Sequence, residues 1–66
     1  MTVGIVGLGL IGGSFAKAYH EAGHRVLAFD TDASVTEFAM LSGAVDGILT
    51  DEALPECDLI LIAVYP

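Results

Sequence analysis

The sequence predicts an α/β fold, a parallel sheet in strand order 3-2-1-4 with two helices on one face. Three observations carry this. A short apolar run, Val3 to Val6, leads straight into a glycine-punctuated turn and then a stretch of helical period. The same succession of apolar run and helical stretch follows again from Arg25 to Ser42, and alternating β-α-β-α order makes parallel strands. The runs are continuous in Val, Ile and Leu, as strands covered on both faces must be.

The elements follow in order. The first strand is Val3 to Val6, and the first helix runs from about Leu10 to Ala22. Ile11, Phe15, Ala18 and Ala22 fall at i, i+4, i+7 and i+11, a stripe expected to face the sheet, with Ser14, Lys17, His20 and Glu21 off it. Gly23 is the expected left-handed stop. The second strand is Arg25 to Phe29. Asp32 is placed to cap a second helix, Ala33 to Ser42, whose apolar positions are Val35, Phe38, Ala39 and Leu41, and Gly43 ends it. A short third strand is expected at Gly47 to Leu49, one helical turn at most at Asp51 to Leu54 before Pro55, and a fourth strand at Asp58 to Val64. Right-handed crossovers put both helices on one face. The third connection crosses the other face and is expected to be too short to cover it. Residues 1–66 therefore form one βαβαββ unit, without linker, repeat or second domain.

The turn carries the chemistry. Gly7-x-Gly9-x-x-Gly12 lies between a strand and a helix, where unpaired N–H groups and the positive end of the helix dipole accept a pyrophosphate. Gly7 permits the turn, Gly9 lets the backbone approach the phosphates, and Gly12 lets helix pack on strand. The pattern gains meaning from its context, which includes an acidic residue about 20 positions on. Asp30 supplies it at the end of the second strand, 23 positions after Gly7 and 18 after Gly12. This is a dinucleotide-binding unit, the first half of a Rossmann-type domain. A carboxylate at Asp30 accepts from the ribose hydroxyls and repels a 2′-phosphate, and no Arg or Lys follows it, so NAD is favoured over NADP.

Other residues have plainer readings. Asp30 could be an ordinary turn aspartate, but its position favours the ribose. Ser14 could donate to a phosphate or equally satisfy local backbone. His20 and His24 have Gly23 between them and no Cys or carboxylate to complete a ligand set, so no metal site is read there. Cys57 abuts an apolar strand and reads as a small buried hydrophobe. A P-loop would need Lys and Ser/Thr after its last glycine, where this chain has Gly13-Ser14. Methyltransferase loops carry a tighter glycine pattern, although their second-strand acidic residue would look like Asp30.

Composition bounds the partners. The chain has 66 residues, 55% hydrophobic, with two basic residues against nine acidic and a formal charge of −7. That balance argues against nucleic acid and anionic membranes, and leaves an anionic cofactor to backbone dipoles. The apolar run Leu59 to Val64 is too short to cross a bilayer. Ala16-Lys17-Ala18 mimics a signal-peptidase site, but no basic segment precedes it. A lone cysteine suits a reducing compartment, and a cytoplasmic location is expected.

From Gly7 to Ser14 the chain resembles the N-terminal signature of prephenate and arogenate dehydrogenases. Ala22-Gly23-His24, Asp30, Gly43-Ala44-Val45-Asp46 and Ala63-Val64-Tyr65-Pro66 agree in order, so the resemblance spans the whole chain. Ile11 and Gly13-Ser14 separate it from related β-hydroxyacid dehydrogenases. The resemblance implies NAD-dependent oxidative decarboxylation of prephenate to 4-hydroxyphenylpyruvate, in tyrosine biosynthesis. It implies cofactor contacts from Gly7, Leu8, Gly9, Leu10, Ile11, Gly12, Asp30, Thr31, Ala63, Val64 and Tyr65, holding the ADP-ribose half of NAD. The family's catalytic residues lie beyond residue 66, so no catalytic residue is expected here and the chain reads as an inactive N-terminal portion of such an enzyme. A stand-alone nucleotide-binding or interaction module and a truncated β-hydroxyacid-type dehydrogenase are the alternatives. One sheet face, assigned to Val3, Ile5, Leu59 and Leu61, is expected to lack cover and to drive a homo-oligomer, most simply a dimer.

Overall fold

The computed structural model describes residues 1–63, and its centre is β1 (Thr2–Val6). This strand pairs in parallel with β2 (Arg25–Phe29) on one side and β4 (Leu59–Ile62) on the other. A two-residue β3 (Gly47–Ile48) pairs with β2, which gives the order 3-2-1-4. The helices are α1 (Leu10–Glu21) and α2 (Ala33–Leu41), and a 3-10 turn covers Leu54–Glu56. Both helices end as expected, with Gly23 at φ +91° and Gly43 at φ +78°. Pro55 lies inside the 3-10 turn and does not end it, because proline suits the first positions of a helical turn, where its missing N–H has no partner to lose. None of the described helices is long and apolar enough to cross a membrane.

Register sets the core. Val3, Val26 and Leu59 form one row across the sheet, and Ile5, Ala28 and Leu61 the next. These residues pack with Leu8, Ala16 and Tyr19 from the first crossover and with Val35, Ala39 and Val45 from the second, so both helices rest on this face. The expectation that Val3, Ile5, Leu59 and Leu61 lack cover is thus corrected: theirs is the face beneath the helices. The other face belongs to Gly4, Leu27 and Ile60, then Val6, Phe29 and Ile62. Its amino-terminal half is covered after all by the connection from β3 to β4. A β-carbon added at Gly4 would lie 3.0 Å from Cys57 Sγ and 3.2 Å from a Leu49 methyl group, and Leu27 and Leu49 are buried. Its carboxyl half is open, with Phe29 and Ile62 exposed, and Ile60 is exposed on β4 in the row of Gly4.

Two further assignments shift. The sheet-facing residues of α1 are Gly12 and Ala16, with Tyr19 beside them, while Ile11, Phe15, Ala18 and Ala22 lie outward. A β-carbon at Gly12 would stand 1.8 Å from the Gly7 carbonyl oxygen, so the helix sits too close to β1 for any but its smallest residues to face the sheet. In α2, Val35 and Ala39 pack inward with Thr36, whereas Phe38 and Leu41 are 73% and 88% exposed.

Each edge strand is started by an aspartate. The Asp46 N–H donates to the Val26 carbonyl, and the Val26 N–H donates to Asp46 Oδ2, both at 2.7 Å. Asp58 repeats the arrangement on the other edge: its N–H donates to the Thr2 carbonyl (2.8 Å), and the Thr2 N–H donates to its Oδ2 (2.7 Å). A carboxylate thus extends the ladder past the last backbone pair.

Candidate nucleotide-binding site

The turn between β1 and α1 is built from glycine geometry. Gly7 takes φ +95°, which an L side chain rarely adopts, and its N–H donates to the Phe29 carbonyl at 2.8 Å. Gly9 is the N-cap of α1, and Gly13 N–H to the Gly9 carbonyl (2.8 Å) closes the first helical turn. The amides of Gly9, Leu10, Ile11 and Gly12 accordingly have no acceptor within the helix. No side chain caps them, and no acidic residue lies in the first turn. The start of α2 is different: Asp32 accepts from Ser34 N–H at 3.0 Å and from its hydroxyl at 2.6 Å. One helix start in this chain is closed by a carboxylate and the other is left open. An open helix start with exposed glycine fits an anion.

Beside it stands Asp30, just past the end of β2. Its Oδ1 accepts from Asp32 N–H and its Oδ2 from Leu8 N–H, each at 2.9 Å. The Asp32 and Leu8 amides hold the carboxyl below the usual aspartate range, against a small opposing effect of burial. Asp30 is therefore ionised at neutral pH, and a carboxylate offers about four acceptor positions, of which the described residues take two. The two basic residues lie elsewhere. Arg25 opens β2 at the opposite end of the sheet, and Lys17 lies beside Glu21 on α1. A phosphate at this turn would be met by backbone dipoles alone.

The structure brings Gly7, Leu8, Gly9, Leu10, Ile11, Gly12 and Asp30 together at the carboxyl end of the sheet. Thr31 follows Asp30 and is exposed. Ala63 joins them: its N–H donates to the Val6 carbonyl at 2.8 Å, and its β-carbon lies 3.4 Å from where one at Gly12 would stand. Val64 and Tyr65 lie outside the described residues. Ser14 donates to the Leu10 carbonyl at 2.8 Å, which is the local reading of that residue. His20 and His24 are at the other end of the strands, His20 at 3.4 Å from Asp46 and His24 at 2.9 Å from the Met1 amine. Cys57 is half-buried against Gly4.

Sequence reasoning missed a cleft of about 320 Å³ on the open sheet face, lined by Val6, Phe29, Leu49, Thr50, Asp51 and Leu54. The available signal was Phe29, which alternates with Ala28 and so lies on the opposite sheet face from it.

Comparison with known proteins agrees with this geometry. The family described as D-isomer specific 2-hydroxyacid dehydrogenase, NAD binding domain, matches residues 1–65. The crystal structure of Synechocystis arogenate dehydrogenase superposes with a TM-score of 0.87 at 32% identity, covering 98% of this chain and 24% of that one. This chain thus spans about a quarter of the length of that enzyme. No curated protein sequence matches significantly.

Proposed function

Because the chain belongs to the D-isomer specific 2-hydroxyacid dehydrogenase family of NAD-binding domains, we propose that its own part is to hold the ADP-ribose half of NAD. The observation that carries the reading is the open start of α1 beside an ionised Asp30. The amides of Gly9 to Gly12 bind and orient the pyrophosphate, with Gly9 giving the backbone close approach. Asp30 accepts from the ribose hydroxyls, and Thr31 lies beside it. Leu10 and Ile11 flank the phosphates, Ala63 stands at the end of β4, and Val64 and Tyr65, which follow it in the sequence, are proposed as further cofactor contacts. NAD, when bound, supplies the acceptor for a hydride.

For the whole protein, the proposed reaction is oxidative decarboxylation of prephenate or arogenate, supported by the arogenate dehydrogenase likeness. A second reading, oxidation of a 2-hydroxy acid, is favoured by the family match. Assay of the complete protein with each substrate class separates them. The binding proposal is tested on this chain directly, by calorimetric titration with ADP-ribose and with its 2′-phosphorylated form. ADP-ribose is expected to bind at least tenfold more tightly, the scale of hydrogen bonds to a charged group (about 1.5–3 kcal/mol). Equal affinity would contradict the role given to Asp30.

A further inference from the structure

Leu8 is fixed from three sides. Its side chain is packed into the core and 9% exposed, its N–H is held by Asp30, and the preceding amide, Gly7, is held by the Phe29 carbonyl. Of the residues that follow, Gly9, Gly12 and Gly13 have no side chain, and Leu10 and Ile11 point theirs to solvent. The second oxygen of Asp30 is taken by Asp32 N–H, so the carboxylate cannot swing away from Leu8 without breaking the turn that starts α2. Asp30 thus ties the start of one helix to the start of the other.

We propose that Asp30 is a positioning residue for the glycine turn, independent of any contact with ribose: by holding the Leu8 amide it aims the open amides of α1 before the nucleotide arrives. The inference rests on the nucleotide-binding reading above for its consequence, but the tie itself exists in the free chain. The charged groups around it are few. The turn from Gly7 to Gly13 has none, α2 contributes Asp32 at its cap, and the connection after β3 contributes Asp51 beside Phe29. Exchanging Asp30 to change the cofactor would therefore also loosen the phosphate site.

Two measurements test this. In the nucleotide-free chain, the Leu8 and Asp32 amide protons are followed by NMR as pH is lowered through the carboxylate range. Both are expected to shift with the midpoint of the Asp30 carboxyl carbon; a Leu8 amide that stays still while Asp30 titrates overturns the proposal. The second measurement uses 2′,3′-dideoxy-ADP, which offers no diol. Asp30→Ala is expected to weaken its binding about tenfold or more, and Asp30→Asn, which keeps an acceptor oxygen, to restore much of the loss. Unchanged or tighter binding in Asp30→Ala, as relief of charge repulsion alone would give, overturns it. A chain that binds neither ADP nor its dideoxy form would defeat the nucleotide reading, and the NMR titration would then decide the tie by itself.

Discussion

Gly12 is held to its identity by distance. With a β-carbon there only 1.8 Å from the Gly7 carbonyl oxygen, Gly12→Ala must push α1 off β1. The expected cost is about 1–3 kcal/mol, the range of overpacked cores, read as a lower urea midpoint; an unchanged midpoint would show that the helix yields freely. Asp30 makes a prediction about pH. Its carboxyl is held low by the Asp32 and Leu8 amides, so it is more acidic folded than unfolded. Such a group adds stability above its unfolded value, about 4, and loses it as pH falls through the lower folded value. The stability gap between the unmutated chain and Asp30→Asn is therefore expected to be constant near neutrality and to shrink below about pH 4. Urea denaturation at stepped pH checks the sign, and a gap that widens in acid would contradict it.

Among the elements, the edge strands depend most on single residues. β3 and β4 have two and four residues, and each is entered through an aspartate that both donates to and accepts from the neighbouring strand. Asp58→Ala is expected to cost about 1 kcal/mol, discounted for exposure, with hydrogen exchange rising first at Thr2; protection at Thr2 equal to the unmutated chain would contradict it. The elements themselves were legible in the sequence. Alternating apolar runs and helical stretches determined the topology, and Asp32, Gly23 and Gly43 marked the helix ends. The phase of α1 was not legible. A stripe of Ile11 and Phe15 has the stronger apolar signal, but contact between Gly12 and Gly7 selects the smaller residues, and that contact is a tertiary fact. The face without full cover was misassigned for the same reason: period two separates two sets of residues in a strand without saying which set the helices choose. At the site, the glycine turn and Asp30 were legible from spacing, whereas the use of Asp30 by Leu8 N–H depends on where the turn folds back.

Among the described residues, apolar surface is left in several places, on Phe38 and Leu41 of α2 among them. Phe29 and Ile62 lie on the open half of the sheet with Ile60 beside them on β4, and Leu10, Ile11 and Phe15 on the outward side of α1, with Ile62 72% and Leu10 84% exposed. β4 also ends the sheet with a free edge. Patches and edges of this kind recruit a partner, so the isolated chain is expected to sediment as a homo-oligomer, most simply a dimer, at micromolar concentration; a compact monomer would contradict this. The charge of −7 opposes association only weakly, and it bears more on the ligand. An anion binding to so acidic a chain must be drawn by the open helix start, and that is the central claim. Gly9 tests it most directly. Its backbone angles, φ −60° and ψ −163°, suit any residue, so Gly9→Val is expected to leave the fold intact while placing a side chain where the phosphates approach. The measurement is calorimetric titration of ADP-ribose into the unmutated and Gly9→Val chains, with circular dichroism to confirm equal folding. The account predicts binding by the first and none by the second. Equal binding by both, or none by the unmutated chain, would contradict it.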